Sequence, residues 1–321
     1  MDKTSYTGIV ILNFNNVPDT EDCVRSILEH NTSPVKFIIV DNGSSVEDTG
    51  KQLESFCKEN FSGSLLELSD SNAGSSGELP LCTLLLSETN DGYARGNNKG
   101  LNLAFRDESI SHVIILNNDV VFESDIIPSL ISYYSSLDNP GILTPLLHNR
   151  KKEEYNCARL FPDNWDVIMP YLLFNRNVRS IISDGYKRQM MILNDPDLVK
   201  KKCFEIDVPS GSFMFIGKDL FRPVGGFDPD TFLYYEEVIL CRRLKRLGKH
   251  NYCIPGLTAF HKGAASTSKA GDVFLQRCNI ESADVYFRKE SHLTLSQHLV
   301  WSFTKLLWKV KFFIKRKELR K

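Results

Sequence analysis

A single aspartate follows a strongly apolar stretch near the middle of the chain. Residues 113 to 122 read V-I-I-L-N-N-D-V-V-F, so two amides and the carboxylate of Asp119 interrupt the apolar run. Such a run is typical of a strand buried on both faces of a parallel sheet, and ligands bind at the carboxyl ends of such strands. A lone carboxylate among amides suits a hard divalent cation that carries a phosphorylated substrate. A plain turn, in which Asn and Asp are common, explains the same residues equally well.

Two further positions are candidates for acid–base or metal chemistry. Glu236 and Glu237 follow F-L-Y-Y and precede V-I-L-C-R-R-L, which predicts that they open a helix. A carboxylate there can act as a general base, although the helix dipole alone favours acidic residues in a first turn. His261 ends the apolar run I-P-G-L-T-A-F and is either a metal ligand or a structural histidine. The helix residues expected to face inward are Val238, Leu240, Leu244 and Leu247.

The first part of the chain predicts the elements that position these side chains. Apolar strands are expected at 8–14, 36–40 and 81–86, and helices at 19–29 and 47–60, with a flexible insertion at 70–80. A strand–helix–strand unit pairs its strands in parallel through a right-handed crossover, so the polar residues that end each strand share one edge. The sequence therefore predicts an α/β protein with a Rossmann-like, mainly parallel sheet flanked by helices.

A glycine-rich segment, N-D-G-Y-A-R-G-N-N-K-G at 90–100, leads into another predicted helix. Its spacing is G-x-x-x-G-x-x-x-G, which is not the dinucleotide-binding pattern G-x-G-x-x-G. Small residues at a helix start still let the backbone approach a nucleotide, and the helix amides favour its phosphates. Helix capping explains the glycines as well.

Composition limits the class of protein. The chain has 321 residues, 42% of them hydrophobic, and its net charge of −1 excludes a globally basic nucleic-acid binder. Eight scattered cysteines without a C-x-x-C pair favour a reduced, cytoplasmic protein. We expect neither a secretory leader nor a transmembrane segment.

The end of the chain has a different character. Residues 296–321 contain six Lys, two Arg and one Glu, a net charge of +7 that leaves −8 on the rest of the chain. At helical spacing they predict a basic amphipathic helix with Phe303, Leu306 and Val310 on one face and Trp301 and Trp308 on the other. We expect the first face to dock on the domain and the Trp and Lys face to meet a membrane surface. Packing within an oligomer is the alternative.

Several motifs in order resemble the family 2 nucleotide-sugar glycosyltransferases, and most closely the rhamnosyltransferase-like branch of bacteria, which has a GT-A fold. The first four are N-F-N-N at 13–16, V-D-N-G-S-S at 40–45, the glycine-rich segment at 90–100 and L-N-N-D at 116–119. P-S-G-S-F-M-F-I at 209–216, G-G-F-D-P-D-T-F-L-Y-Y-E-E-V at 225–238 and H-K-G-A-A-S at 261–266 follow. The resemblance covers roughly residues 7–267.

The resemblance implies roles for individual residues. It assigns Mn²⁺ or Mg²⁺ to Asp119 and His261, although L-N-N-D lacks the first acidic residue of the usual D-x-D. It assigns the general base to Glu237, where Asp is usual, and the acceptor side to Gly211, Ser212 and Glu236. The residues expected to bind the nucleotide sugar are Asn13, Asn15, Asp41, Gly92, Asn97, Asn98 and Asn118.

The implied function is inverting transfer of a sugar from dTDP-rhamnose or a UDP-sugar to a hydroxyl of a growing, lipid-linked bacterial surface glycan. The enzyme is expected to be cytoplasmic and bound peripherally to the inner face of the membrane. The sequence is also compatible with an oligomer. Residues 1–145 would form the donor-binding half, 146–295 the acceptor and catalytic half of the same domain, and 296–321 the basic tail. Residues 146–202 fit no donor motif and are assigned to acceptor recognition or to a cover over the cleft.

Two alternatives from other classes of function are a binding subunit and a nucleotidyltransferase. A catalytically inactive nucleotide-sugar-binding or scaffold subunit is suggested by the departures at Asn117 and Glu237. A nucleotidyltransferase on a similar sheet would need a basic glycine-rich loop after the first strand, where N-F-N-N stands instead.

Overall fold

A computed structural model of the protein describes residues 4–75, 77–149, 157–172, 187–263 and 272–318. Parts of the predicted cover at 146–202, and residues 264–266 of the H-K-G-A-A-S motif, lie outside these ranges. The strands are β1 Tyr6–Asn13, β2 Val35–Asp41, β3 Leu65–Ser69, β4 Cys82–Leu86, β5 Ile110–Asn117, β6 Val120–Phe122, β7 Pro140–His148, β8 Ala158–Arg159, β9 Phe204–Ile206, β10 Val208–Pro209, β11 Phe213–Gly217 and β12 His250–His261.

The α-helices lie between and after these strands. They are α1 Val17–His30, α2 Thr49–Asn60, α3 Gly92–Arg106, α4 Ile127–Ser136, α5 Asn164–Leu172, α6 Met191–Asn194, α7 Lys218–Val224, α8 Glu236–Arg246, α9 Asp272–Lys289 and α10 Leu295–Glu318. The strands expected at 8–14, 36–40 and 81–86 are confirmed as β1, β2 and β4, and the two helices between them as α1 and α2.

Ten strands form one mixed sheet in the order β3-β4-β2-β1-β5-β11-β7-β12-β6, with β9 paired to β12. The first five are mutually parallel, and β11 runs antiparallel to both β5 and β7. Since β11 is antiparallel to both of its neighbours, β7 runs in the same direction as β5, and β12 is parallel to β7. The carboxyl ends of β1, β2, β5 and β12 therefore lie along one edge. This edge, called the carboxyl edge below, ends in Asn13, Asp41, Asn117 and His261. The predicted α/β architecture with a mainly parallel sheet is confirmed.

Both faces of the sheet are covered by helices, so strand residues alternate between two cores. In β1, Val10 packs with α3, α8 and the C-terminal helices, whereas Ile9 and Ile11 pack with α1 and α2. Two-sided burial explains why these strands are continuous apolar runs in the sequence.

The glycines of α3 allow it to lie very close to the sheet. A Cβ at Gly96 would come 2.7 Å from Leu12 Cδ1, and one at Gly100 would come 2.6 Å from Val10 Cγ1. Two successive turns of α3 therefore pack directly on β1. This packing explains why Gly96 and Gly100 are spaced four residues apart.

The prediction of inward-facing residues in α8 was right for three of the four. Val238, Leu240 and Leu244 are buried, but Leu247 is 47% exposed. The helix ends at Arg246, so Leu247 lies at its C-terminal cap and leaves the inward face.

The basic amphipathic helix exists as α10, but the faces were assigned the wrong way round. Trp301 and Trp308 are buried against the domain, where their ring N–H groups donate to Asp284 Oδ1 and Tyr171 O at 2.9 and 2.8 Å. The opposite face carries an exposed apolar stripe, defined here as Leu295, Leu299, Phe303, Leu306 and Val310. The indole N–H groups find buried acceptors, and this explains why the tryptophans face inward. Among the described helices, none is both long and apolar enough to cross a bilayer.

Candidate active site

Three of the expected donor-binding residues form one buried network at the carboxyl edge. Asn13 Nδ2 donates to Asp41 Oδ1 over 2.8 Å, and Thr20 Oγ1 donates to Asn13 Oδ1 over 2.9 Å. Asn118 Nδ2 lies 3.0 Å from Thr20 Oγ1 and 3.5 Å from Asn13 Oδ1. The ends of β1, β2 and β5 are thereby fixed relative to one another. Thr20, in the first turns of α1, was not predicted.

Asn15 lies at the same edge and orders the loop after β2. Its φ of 56° turns the chain away from β1. Its Oδ1 accepts hydrogen bonds from the backbone N–H groups of Ser45 and Val46 at 2.7 and 3.0 Å. A short amide side chain tolerates this left-handed conformation and bonds the adjacent loop.

The residues from the glycine-rich segment are placed differently from one another. Gly92 lies beside the end of β2, because Asn42 Nδ2 donates to its carbonyl oxygen over 3.1 Å. Asn97 is buried and donates to Tyr93 O one turn earlier in α3. Asn98 accepts from Phe227 N and donates to Phe227 O at 3.0 and 2.8 Å. Asn97 and Asn98 are therefore engaged within α3 and with the turn before α8, and no hydrogen bond links their side chains to the Asn13 network among the described contacts.

Asp119 and His261 meet at the carboxyl edge. Asp119 Oδ1 lies 3.2 Å from His261 Nε2, and Ser212 Oγ lies 3.4 Å from the same nitrogen. Asn117 Nδ2 donates to Ser212 Oγ over 3.2 Å. The turn after β5, the end of β12 and the start of β11 thus converge on one pair of metal-compatible side chains.

This pair fits a divalent cation that is shared with a substrate. Within the described ranges no group of three or more His, Cys, Asp or Glu side chains is arranged to hold a metal by itself. Mg²⁺ commonly takes only one or two protein carboxylates and completes its shell with substrate phosphates and water. A carboxylate and an imidazole 3.2 Å apart match that type of site.

Glu237 is the second residue of α8, which follows two residues with left-handed backbone, Tyr234 and Tyr235 (φ 75° and 66°). Its Oε1 accepts from Arg159 over 2.6 Å, and Arg159 also donates to Pro209 O over 3.1 Å. Both side chains are partly accessible, at 15% for Glu237 and 16% for Arg159. Arg159 lies in the segment that carried no motif, so nothing in the sequence indicated this partner.

Glu236, the preceding residue and the first of α8, has the opposite environment. It is buried, and its Oε2 makes no hydrogen bond within the described part of the protein. Burial, with the adjacent charge of Glu237 as the second cause, raises its pKa from 4.5 to about 8. Glu236 is therefore mostly protonated at neutral pH, whereas Glu237 is the carboxylate that solvent reaches.

A short segment of backbone connects the two clusters. Pro209 accepts from Arg159, and three residues later Ser212 contacts His261. Three residues span at most about 10 Å. Between them Gly211 O accepts from Tyr93 Oη over 2.5 Å, which fixes the turn to α3. Residues 209–212 therefore contact both the Arg159–Glu237 pair and the Asp119–His261 pair.

Comparison with known proteins identifies the family. The model described as glycosyl transferase family 2 matches residues 8–221. Rhamnosyltransferase WbbL of Escherichia coli (strain K12) is 25% identical over 179 residues, which cover 53% of this chain and 61% of that protein. The low-salt glycan biosynthesis hexosyltransferase Agl10 of Haloferax volcanii is 24% identical over 239 residues, covering 74% of this chain and 61% of that protein.

Further similarity extends to a mycobacterial protein and to a solved structure. An N-acetylglucosaminyl-diphospho-decaprenol L-rhamnosyltransferase of Mycobacterium tuberculosis is 27% identical over 157 residues, 49% of this chain and 48% of that protein. The chain spans about half to three fifths of the length of these relatives. GalNAc-T7, crystallised with UDP, GalNAc and Mn²⁺, matches with a TM-score of 0.57 at 12% identity, over 89% of this chain and 48% of that chain. The chain therefore belongs to glycosyl transferase family 2 and has the GT-A type of fold.

Proposed function

We propose that the protein is an inverting glycosyltransferase that moves a rhamnosyl or other hexosyl group from a nucleoside diphosphate to a hydroxyl of a glycan. The observation that supports this most directly is that the backbone segment 209–212 contacts both pairs, through Pro209 O to Arg159 and Ser212 Oγ to His261. Inverting transfer needs a base on one side of the sugar carbon and a stabilised leaving group on the other.

In the proposed reaction Glu237 acts as the general base. The acceptor oxygen forms a bond to the anomeric carbon while the bond from that carbon to the diphosphate oxygen breaks. Glu237 Oε2 takes the hydroxyl proton, and Arg159 on Oε1 holds the carboxylate in position. Asp119 and His261 would hold a divalent cation, which would stabilise the charge of the departing nucleoside diphosphate.

The donor and the acceptor are proposed by analogy with the relatives. Two of these are named rhamnosyltransferases, which favours dTDP-rhamnose over a UDP-sugar as the first donor to test. One relative is named for a diphospho-decaprenol substrate, so we propose a lipid-linked acceptor here as well. Such an acceptor would place the reaction at a membrane surface, and the exposed apolar stripe of α10 is the proposed contact with that surface.

Release of nucleoside diphosphate tests the catalytic proposal. Purified protein is incubated with dTDP-rhamnose and a panel of UDP-sugars, with Mg²⁺ or Mn²⁺ and a lipid-linked acceptor. Because a general base contributes about 10²- to 10⁴-fold, we expect Glu237→Gln to lower kcat by that factor. Glu205→Gln, an exposed glutamate that bonds His250, is the matched control and should leave the rate unchanged. Absence of release from every donor would instead favour a binding or scaffold subunit.

A further inference from the structure

A lysine beside the proposed metal ligands has no role in the mechanism above. Lys262 follows His261, and its backbone N–H donates to the carbonyl oxygen of Asp119 over 2.9 Å. Its side chain is only 18% exposed and reaches α1, where Nζ lies 2.7 Å from Asp19 Oδ1 and 2.5 Å from Asp22 Oδ2. The ammonium group is therefore held at the carboxyl edge.

The charges at this point of the edge are predominantly negative. The buried thiol of Cys23 lies among them, and burial followed by the nearby charge of Asp119 raises its pKa. Asp19 and Asp22 add to that effect, whereas Lys262 opposes it. A nucleoside diphosphate would bring further negative charge to the same place, so its binding requires positive charge from the protein as well as from a cation.

We propose that Lys262 binds the diphosphate of the nucleotide-sugar donor and exchanges its contact with Asp22 for a phosphate oxygen. The inference rests on the proposed function, because it assumes that a nucleoside diphosphate occupies the carboxyl edge. It adds a ligand that neither the motifs nor the Asp119–His261 pair supplies.

The geometry permits this exchange at small cost. A lysine carries a compact charge on a flexible four-carbon stem, so rotation about its side-chain bonds moves Nζ without moving the backbone. The Asp22 side chain is 60% exposed, so water can solvate its carboxylate when the ammonium leaves. Asp19 also accepts from Asn16 Nδ2 and keeps that partner. The backbone of Lys262 stays bonded to Asp119, which keeps the lysine next to any phosphate that shares a cation with that residue.

This role also accounts for the reduced acidic motif. L-N-N-D offers one carboxylate where D-x-D offers two, so a cation at this place would have fewer protein ligands. A lysine that neutralises part of the diphosphate charge would compensate for a cation held by fewer protein ligands. We therefore expect part of the affinity for nucleoside diphosphate to persist without divalent cation, and this part to depend on Lys262.

Calorimetric titration tests the inference without depending on turnover. dTDP and UDP, and the nucleosides thymidine and uridine, are titrated with and without Mg²⁺ into wild type, Lys262→Met, Lys262→Arg and Asp22→Asn. Lys262→Met should weaken diphosphate binding about 10- to 100-fold, as expected for the loss of a hydrogen bond between two charged groups. Nucleoside affinity should not change, and Lys262→Arg should retain most of the diphosphate affinity.

Asp22→Asn separates ligand binding from a structural ion pair. It frees Lys262 from one carboxylate, so diphosphate affinity should stay equal to wild type or increase. Equal losses in Asp22→Asn and Lys262→Met would overturn the inference, because both variants break the contact between β12 and α1. Unchanged affinity in Lys262→Met would also overturn it, and would leave the proposed function intact. A wild-type protein that binds neither dTDP nor UDP would overturn both.

Discussion

Glu236 and Glu237 are chemically identical neighbours that the fold places in different environments. The side chain of Glu237 reaches Arg159 and solvent, whereas the side chain of Glu236 is buried in the protein. The raised pKa of Glu236 therefore follows from burial first and from the charge of its neighbour second. A protonated Glu236 reduces the repulsion that Glu237 would otherwise meet on holding a negative charge.

This difference predicts a pH dependence of stability. The pKa of Glu236 is about 8 in the folded protein against 4.5 as its ordinary value, so the folded state binds more protons between these limits. Stability due to this group is fully present below pH ~4.5 and falls as the pH rises through about 8. In Glu236→Gln the decline of Tm between pH 5 and 9 should be shallower than in wild type, as followed by circular dichroism. Parallel profiles for the two proteins would contradict the assignment.

The residues of the candidate site were predictable only where a motif marked them. Asp119 and His261 each follow an apolar run, and the carboxyl ends of parallel strands meet at one edge of a sheet. The distance of 3.2 Å between Asp119 Oδ1 and His261 Nε2 agrees with this expectation. Arg159 has no such signal, because a single arginine in an irregular segment looks like any solvated charge. Asn98 lies in a motif, yet its amide bonds the backbone of Phe227. The spacing of the motif does not distinguish such a structural contact from nucleotide binding.

Among the elements, α3 lies very close to the sheet. At Gly96 and Gly100 an added methyl group would lie less than 3 Å from side chains of β1. Either the β1 side chains or the helix itself would have to shift to make room for the methyl group.

Gly96→Ala and Gly100→Ala should therefore each destabilise the protein despite the better helix propensity of alanine. Overpacking of this kind costs about 1 to 3 kcal/mol, to be measured by urea unfolding. Gly74→Ala is the control, because no atom lies within 4 Å of its added Cβ. If the α3 variants were as stable as this control, the close packing of α3 on β1 would be refuted.

Elements with a regular apolar pattern were found from the sequence, and elements set by tertiary packing were not. β3 was missed because L-L-E-L-S lies at the edge of the sheet and has a single buried residue, Leu68, so it lacks the continuous apolar run of the inner strands. The faces of α10 were exchanged for another reason. Both faces of α10 carry apolar residues, so hydrophobicity does not distinguish them. The buried acceptors Asp284 and Tyr171 O decide which face turns inward, because they accept the indole N–H groups of the two tryptophans.

At the scale of the whole molecule, the exposed apolar stripe is a feature that the packing of the described residues leaves uncovered. Its five side chains are 77, 63, 55, 58 and 52% exposed in chain order. They follow one face of a helix at spacings of four or three residues, and the helix ends among the basic residues of the tail. An apolar face beside cations suits the boundary region of a bilayer that contains anionic lipid.

Phe303→Asp tests this contact by cosedimentation with phosphatidylcholine vesicles, with and without phosphatidylglycerol. Burying a large apolar side chain is worth about 1.5 to 3 kcal/mol, so the variant should partition about 10- to 100-fold less than wild type. Ser132→Asp adds the same charge at an exposed position of another helix, α4, and should change partitioning much less. Failure of wild type to bind either vesicle would contradict the membrane proposal, and a dimer lost in Phe303→Asp would indicate a protein partner.

The ion pair between Arg159 and Glu237 links two properties that are usually discussed separately. The proposed base, Glu237, lies on α8 within the motif-bearing part of the chain, but Arg159 comes from the motif-poor residues 146–202. If those residues recognise the acceptor, as the sequence predicts, an exchange of that stretch between relatives would alter catalytic power together with substrate preference. Chimeras designed to change the acceptor should retain an arginine at this place if they are to keep their turnover.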